Sequence, residues 1–435
     1  MGKVSVSLLM KRVLVIGGGL AGLSAAVYLS KNKFRVTLLE ASPKVGGRVY
    51  SFIDEKTNTE IDNGQHILMG CYTDTLNFLR VIDAYKYLKI QKNLEVNYLS
   101  HEGISFKLKA TQFPFPFNLL YALFSFKRLD VNEKFSLIKL FLKINFIESE
   151  NLYGLNVIEW LKKEKQSDNS IKIFWEIISI GALNTSTEKA SAKIFCDILK
   201  EIFWKDNTSF SIIVPALPLS KVFCEPSIES IKRNGGEVRL SEKVIGVEIE
   251  DMKIKKVITD KNIYEDFDFV ISAVPYFASE KFIDKKFLDK QPEFHYSSIL
   301  NIHLWIKQNF LSEDFYAFID SELHWLFNKK THWNIVISNA DKFMQMSKDE
   351  IINFILTELK KFIPVSDDIL SYKIIKEKRA TFIPDNSILN NRPSTETKIK
   401  NIFIAGDWVD TKLPATIESA VRSGRLAAEK IVNQM

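Results

Sequence analysis

"RVLVIGGGLAGLSAAVYLSKNKFRVTLLEAS", Arg12–Ser42, is the stretch that decides the fold class. Arg12–Ile16 is a short apolar run rich in β-branched residues, the pattern of a buried strand. Gly17, Gly19 and Gly22 follow as G-x-G-x-x-G, and Leu20 and Ala21 open a helix whose buried side carries Leu23, Ala26, Val27 and Leu29. A second strand, Arg35–Leu39, ends at Glu40, about twenty residues beyond the glycines. Each glycine has a steric task. The first makes a tight turn, the second lets the backbone approach a pyrophosphate, and the third lets helix and strand pack closely. The helix N-terminus then faces the phosphate charge, and Glu40 can accept from ribose hydroxyls. Strand, glycine turn, helix, strand and acid in this order predict a dinucleotide-binding α/β unit.

Composition bounds the rest. A chain of 435 residues has room for more than one domain and a large core. Hydrophobic content of 46% and charged content of 26% are those of a globular protein. The net charge of +6 is a small difference between 59 basic and 53 acidic residues, with no compact Lys/Arg block, so no nucleic acid partner is expected. Cys71, Cys196 and Cys224 lie far apart without a C-x-x-C pair. That argues against a metal site and for a reducing compartment. The opening "MGKVSVSLLMKR" lacks the long apolar core of a secretory signal, and Met10 is a second candidate start. No apolar run reaches the ~18 residues of a spanning helix. A cytoplasmic protein is expected.

Two further stretches bear on which dinucleotide is bound. "GGRVYS", with Gly46, Gly47 and Arg48, comes directly after the second strand, and "NIFIAGDWVDTKLPATIESAVRSGRLAAEKIV", Asn401–Val432, closes an apolar run with Gly406 and Asp407. Together with the first unit they resemble the FAD-dependent amine oxidase and phytoene desaturase superfamily. The resemblance implies FAD, with Asp407 on its ribityl chain. It also implies a helix starting near Ala415 and Thr416 whose N-terminus points at the flavin, where it would stabilise the charge of the reduced ring. The bland alternative is a strand, turn and helix with an incidental Gly-Asp. No second G-x-G-x-x-G exists, so a built-in NADPH site of that type is not expected.

The middle of the chain fits the same plan. "ESIKRNGGEVRLSEKVIGVEIED", Glu229–Asp251, reads as a helix, a Gly235–Gly236 turn and strands, and "DFDFVISAVP" runs an apolar strand to Pro275. By the resemblance Val244 contacts adenine through its backbone; as a residue it reads equally as strand core. The expected architecture is α/β: a discontinuous Rossmann-type FAD-binding domain (11–75, 205–285 and 396–435) with an inserted, amine oxidase-like α+β substrate domain (76–204 and 286–395).

"FPFPFNLLYALFSFKRLDVNEKFSLIKLFLKINF", Phe113–Phe146, is mostly aromatic and aliphatic, with Lys127, Arg128, Lys134, Lys139 and Lys143 interleaved. Pro114 and Pro116 prevent a regular helix at its start, whereas Asn118 onward has helical spacing. Two compatible readings stand: an amphipathic layer over the core, or a greasy entrance resting on a membrane whose anionic headgroups meet the cations. The second would place the protein peripherally on the inner face of the cell membrane.

Four stretches point to one family. "DNGQHILMGCY" (62–72), "GALNTSTEKAS" (181–191), "RATFIP" (379–384) with Arg392–Pro393 beyond it, and "AGDWVDTKLPATIESAVRSG" (405–424) together resemble the bacterial hydroxysqualene dehydroxylases. The likeness spans Arg12 to Ile431. It departs at Trp408–Val409, where Trp-Thr is expected, and in the Lys- and Phe-rich substrate region. It implies reduction of an isoprenoid lipid, hydroxysqualene, to squalene with hydride from reduced FAD, and an electron donor that the sequence leaves unnamed. It also implies that the segment after Gly-Gly-Arg crosses the flavin. Gly64 would leave room for the ring and carry Asp62, Gln65 and His66 to its edge. On one reading Asp62 caps a turn, Gln65 bonds the ring and His66 is a satisfied core histidine. On the other, His66 with Asp62 serves as acid or hydrogen-bond donor to the departing oxygen, a role suited to an unperturbed pKa near ~6.5. His101, His295, His303, His324 and His332 lie in no interpretable motif, and packing beside Trp305 and Trp333 accounts for His303 and His332. A carotenoid-type desaturase and a non-catalytic FAD-containing lipid-binding protein are the alternative functions.

Overall fold

The computed structural model describes residues 10–101, 105–364 and 369–434. Residues 1–9, read above as lacking a signal core, lie outside the described residues.

Val13, Val15, Val36 and Leu38 are almost completely buried, because both faces of their strands are covered, the situation of a parallel sheet. The sheet runs Glu237–Arg239, Arg35–Leu39, Arg12–Ile16, Phe269–Ser272, Ile402–Ile404, with every neighbouring pair parallel. It therefore gathers strands from three separated parts of the chain.

The helix Leu20–Lys31 is buried well beyond the expected Leu23, Ala26, Val27 and Leu29 side; Leu20, Ala21, Ser24 and Ala25 are buried too. Small residues allow close contact on both of its sides. Against the glycine turn, a Cβ on Gly22 would sit 1.9 Å from the Gly17 carbonyl oxygen, and against the last helix, Ile417–Val432, which covers the far side, one on Gly424 would sit 2.1 Å from that of Ala21. Ser24 Oγ donates to the Val421 carbonyl at 2.8 Å across the same interface. The last helix is in turn fastened to the helix Thr73–Val81: the Glu418 carboxylate accepts from the backbone N–H of Asp74 and Thr75 at 2.9 and 2.8 Å. Arg422 and Arg425 both reach the Asp74 carboxylate, at 2.7 and 2.5 Å.

A seven-stranded sheet faces this unit: Ile369–Phe382, Tyr296–Ile306, Trp333–Ser338, Trp325–Asn328, Phe315–Phe318, Glu95–Leu99, Ser105–Lys109. It is antiparallel except where Phe315–Phe318 runs parallel to Glu95–Leu99. Helices Phe117–Ser125, Val131–Ile144, Glu176–Leu183 and Ala192–Phe203 pack into one apolar core with it.

The aromatic stretch forms two of these helices. The first starts at Phe117, one residue before the expected Asn118. The second starts at Val131 behind a capping box, in which Asp130 accepts from the Glu133 N–H at 2.8 Å and Glu133 from the Asp130 N–H at 3.0 Å. Leu119, Ala122, Leu137 and Phe141 face inward, whereas Phe117, Phe135 and Phe146 are 64%, 61% and 82% exposed. No helix among the described residues is long and apolar enough to cross a membrane.

Gly22→Ala should destabilise the fold by at least the roughly 1–3 kcal/mol of ordinary overpacking, since its methyl would meet backbone rather than a flexible side chain. Gly246→Ala, where nothing lies within 4 Å of the added carbon, should shift stability by no more than about 0.5 kcal/mol. Urea unfolding midpoints of the two variants measure the contrast; equal midpoints would remove the close-packing account.

Candidate active site

The glycine turn builds a cradle. Gly17 has φ +103°, and its N–H donates to the Leu39 carbonyl at 2.8 Å. Gly46 N–H donates to the Gly18 carbonyl at 2.8 Å, which brings the Gly46–Gly47 turn alongside Gly19. Around Gly19 the space stays open: the nearest atom to an added Cβ is Gly47 Cα at 4.0 Å. The helix Leu20–Lys31 begins there with no side-chain cap, so its first N–H groups point at this gap and suit an anion. Glu40 closes the nucleotide end, its Oε2 accepting from the Gly18 N–H at 2.6 Å and its Oε1 from the Ser42 N–H at 2.7 Å. Val244 lines the same end, at the start of the strand Val244–Glu250.

Arg48 stands where the two halves meet. Its Nη2 pairs with Asp407 Oδ2 at 2.8 Å, and its Nη1 donates to the Ala380 carbonyl at 2.5 Å. Gly406 and Asp407 follow the strand Ile402–Ile404, as the apolar run requires. Thr416 caps the last helix, its Oγ1 accepting from the Ser419 N–H at 3.1 Å, and Ala415 and Thr416 both line the cavity. Arg392 is a residue that sequence reading undervalued. Buried at 7% exposure, it donates to the backbone carbonyls of Asp407, Trp408, Val409 and Leu413 and so holds the loop between Asp407 and the helix. The quoted Arg392–Pro393 was the only trace of it.

The segment Asp62–His66 enters from the strand Thr59–Asp62 and lies against the large sheet. The structure brings Gly64, Gln65 and His66 to the cavity wall. Asp62 is placed differently. It is 4% exposed, with Oδ1 accepting from Ser51 Oγ at 2.8 Å and the Leu219 N–H at 2.9 Å. Its Oδ2 accepts from Gln65 Nε2 at 3.3 Å and faces Lys329 Nζ at 3.5 Å. None of these bonds goes to His66. The carboxylate is thus committed to shaping the segment.

His303 and His332, assigned above to packing, hold the same segment. His303 Nε2 lies 3.1 Å from the Asp62 carbonyl oxygen, which can only accept, so the proton is on Nε2. His303 Nδ1 must then accept from His332 Nε2 at 3.0 Å, and His332 Nδ1 from Thr331 Oγ1 at 3.0 Å. The chain needs both rings neutral. Burial supplies that condition by lowering the pKa of His303 to about 3 and of His332 to about 4.

His66 Nε2 donates to the Arg48 carbonyl at a long 3.4 Å. The surface that His66 exposes belongs to the cavity rather than to bulk solvent, so burial still pulls its pKa below 6.5, opposed by the Arg48 carbonyl and by the through-space charge of Asp62. Cys71 also reaches the cavity, but burial pushes its thiol up to about 12, which leaves it unreactive at neutral pH. Among the described residues no group of three or more His, Cys, Asp or Glu is placed to hold a metal ion.

A cavity of about 810 Å³ joins these parts. It runs from the glycine cradle past Arg48, Asp407 and Gly64, then continues between walls such as Ile67, Leu123, Phe141, Ile178 and Phe327. One end is lined by the glycine turn and charged side chains, the other mainly by apolar ones.

The flavin containing amine oxidoreductase family matches residues 20–432. The chain belongs to this family. It is an FAD-dependent oxidoreductase, and the cradle fits that cofactor: a Cβ at Gly19 would fill the gap beside Gly47, and the uncapped helix and Glu40 supply donors and an acceptor of the right kind. The chain is 27% identical over 421 residues to a hydroxysqualene dehydroxylase of Zymomonas mobilis, covering 95% of this chain and 97% of that one. It is 28% identical over 442 residues to a hydroxysqualene dehydroxylase of Sinorhizobium fredii, covering 98% and 99%. Among solved structures, an oxidoreductase from Methanosarcina mazei superposes with a TM-score of 0.72 at 16% identity, over 97% of this chain and 100% of that one. The last likeness concerns the fold alone.

The protein should purify yellow with FAD held non-covalently. Gly19→Leu should fold, because the apo chain leaves room for the side chain, yet remain colourless, because that room belongs to the cofactor. Glu40→Arg should weaken FAD retention by replacing an acceptor with a donor. Flavin absorbance after gel filtration, with the unfolding midpoint as control, measures all three; a yellow Gly19→Leu protein would contradict the cradle.

Proposed function

We propose that this oxidoreductase converts hydroxysqualene to squalene and takes its lipid substrate from a membrane surface. The observation that carries the reading is the continuous cavity, polar at the glycine cradle and mainly apolar beyond Gly64. The names of the Zymomonas and Sinorhizobium relatives, matched over nearly their full length, support the substrate. In the reaction a C–O bond of the alcohol breaks, a C–H bond forms at the same carbon, and the oxygen leaves as water after gaining a proton. When bound and reduced, FAD supplies the hydride. Gly17, Gly19, Gly22, Glu40, Gly47, Arg48 and Asp407 would hold the cofactor, with Val244 toward the nucleotide end and Gly64 and Gln65 toward the flavin.

The remaining work falls to the cavity wall. Positive charge builds on the allylic carbon as the C–O bond lengthens, and water would trap it; the apolar channel keeps water out. Hydroxide is a poor leaving group, so the oxygen needs a proton. We assign that proton to His66, which lies on the cavity wall. With Nε2–H directed at the Arg48 carbonyl, neutral His66 offers only a lone pair on Nδ1, and it can donate there only when protonated. Asp62 acts through position, holding the turn that presents His66.

Chemically reduced protein, incubated without oxygen with hydroxysqualene, should yield squalene; no product from flavin-loaded enzyme refutes the reading. His66→Ala should keep FAD and fold but lose about 10²–10⁴-fold in rate. In the native enzyme the single-turnover rate should fall as pH rises through the His66 pKa, which burial places below 6.5. A rate flat across that range would assign the proton to another donor. Asp62→Asn should cost less than His66→Ala and move the pH profile to lower pH, because the Asp62 charge that raises the His66 pKa against burial is lost.

The membrane part rests on the helices Phe117–Ser125 and Val131–Ile144, whose inner faces line the cavity with Leu119, Leu123 and Phe141 while their outer faces expose Phe117, Phe124 and Phe135. Of the five cations expected to meet headgroups, Lys143 is paired with Glu164 at 2.6 Å and Arg128 with Asp320 at 3.4 Å. Lys127, Lys134 and Lys139 carry the attraction, each worth roughly 1 kcal/mol at an anionic surface. The protein should sediment with anionic vesicles at low salt and release at high salt, and replacing those three lysines by glutamine should abolish the effect. Equal partition into neutral and anionic vesicles would reduce the stretch to a core layer.

A further inference from the structure

Nine buried side-chain polar atoms among the described residues lack a hydrogen-bond partner. Two belong to residues on the cavity wall: Tyr276, at the dinucleotide end beside Val274, and Asn301, where the cradle gives way to the apolar channel. Asn301 lies in the middle of the strand Tyr296–Ile306 and is 3% exposed. Its Oδ1 is unpaired, and its Nδ2 makes no hydrogen bond among the described residues either.

The strand and its neighbours fix where this amide lies. Ile299, Asn301 and His303 share one face of the strand, by the two-residue period of a pleat. His303 fastens that face to the Asp62 carbonyl at 3.1 Å. Asn301 therefore lies over Gly64: an added Cβ there would sit 3.1 Å from its Nδ2 and 3.4 Å from its Oδ1. Its neighbours on the wall, Ile299 and the cross-strand Val336, are apolar. Gly64 thus makes room for an amide, where the sequence suggested room for the flavin ring, and no described residue occupies that amide's hydrogen bonds. Asn334, also unpaired at Oδ1, differs because it is absent from the cavity wall and its Nδ2 donates to the Ile302 carbonyl at 3.4 Å.

The substrate and product of the proposed reaction have nearly the same shape and apolar surface, so an apolar channel alone would hold both about equally. They differ by one hydroxyl at the reacting carbon. A buried amide that is satisfied by that hydroxyl, and stranded without it, discriminates far more strongly than any change in apolar contact. We propose that Asn301 is the specificity-determining residue that pairs with the hydroxyl of the allylic alcohol and so makes the site prefer the alcohol to the hydrocarbon. The inference rests on the reading of the site as an alcohol-reducing one. It also explains how product leaves: once the oxygen has gone, the amide has no partner and the hydrocarbon is held less tightly.

The test compares binding of hydroxysqualene and squalene, in matched detergent micelles, to flavin-loaded protein kept oxidised so that no turnover occurs, following the flavin absorbance. The native protein should bind the alcohol at least about tenfold more tightly than the hydrocarbon. Asn301→Leu should retain FAD, bind squalene at least as well, and lose most of the gap. Asn301→Val, smaller and suited to a strand, reads the same gap if the leucine variant does not fold. A gap that survives in the folded variant overturns the proposal. Loss of FAD from the variants overturns it too, by making Asn301 a flavin ligand. If native protein also fails to reduce the alcohol, the functional reading itself has failed; if it reduces the alcohol while the variants keep the gap, only the role of Asn301 falls.

Discussion

The ion pair between Arg48 and Asp407, at 2.8 Å, is the point from which the rest of the molecule takes its place. Arg48 follows the Gly46–Gly47 turn, Asp407 follows the last strand of the parallel sheet, and the second guanidinium arm holds the Ala380 carbonyl at the end of the large sheet. Three parts of the chain that are remote in sequence are thereby brought to one spot. Beside it lies the gap above Gly19, and beyond it begins the apolar channel. A dinucleotide has a fixed length, so the junction of cradle and channel must be placed accurately. A half-buried arginine with two fixed partners, a carboxylate and a carbonyl, can do this where apolar packing, being non-directional, cannot.

The same logic runs through the supports around the site. Arg392 gathers backbone carbonyls of the loop after Asp407, and the Glu418, Arg422 and Arg425 cluster seats the last helix against Asp74. The Thr331–His332–His303 chain ends on the Asp62 carbonyl. Each joins an element of the nucleotide-binding half to another element by a directional bond. The histidine chain also shows why packing and function are not separate assignments here. Rings stacked beside Trp305 would serve packing alone, but their neutral state and their order of donors fix the height of the segment that carries Gly64 and His66.

The aromatic helices extend this division of labour to the outside. A helix that covers a cavity with one face usually presents polar residues on the other. Here the outer face of Phe117–Ser125 and Val131–Ile144 is aromatic as well, and the cations between the rings are partly spoken for by Glu164 and Asp320. Burying such a face elsewhere than in water is favourable, and the inner walls of the same helices line the cavity with apolar side chains.

What the sequence determined by itself is short-range and steric. The order strand, Gly17-x-Gly19-x-x-Gly22, helix, strand, Glu40 needs only neighbours along the chain, because the tight turn and the helix–strand contact involve residues a few positions apart, and the structure has those strands with the expected bounds. The Gly406–Asp407 turn and the helical stretch after Pro116 were legible for the same reason. Partnerships between distant residues were not. Nothing around Asp62 says that its oxygens are taken by Ser51, Leu219 and Lys329 rather than by His66, and nothing around His303 names His332. Asn301 sits in an ordinary strand sequence, "SILNIHLW", and only the fold lays its amide over Gly64 and leaves it without a partner. A hydrogen bond depends on distance and direction between two groups, and for groups far apart in the chain the tertiary structure alone sets both.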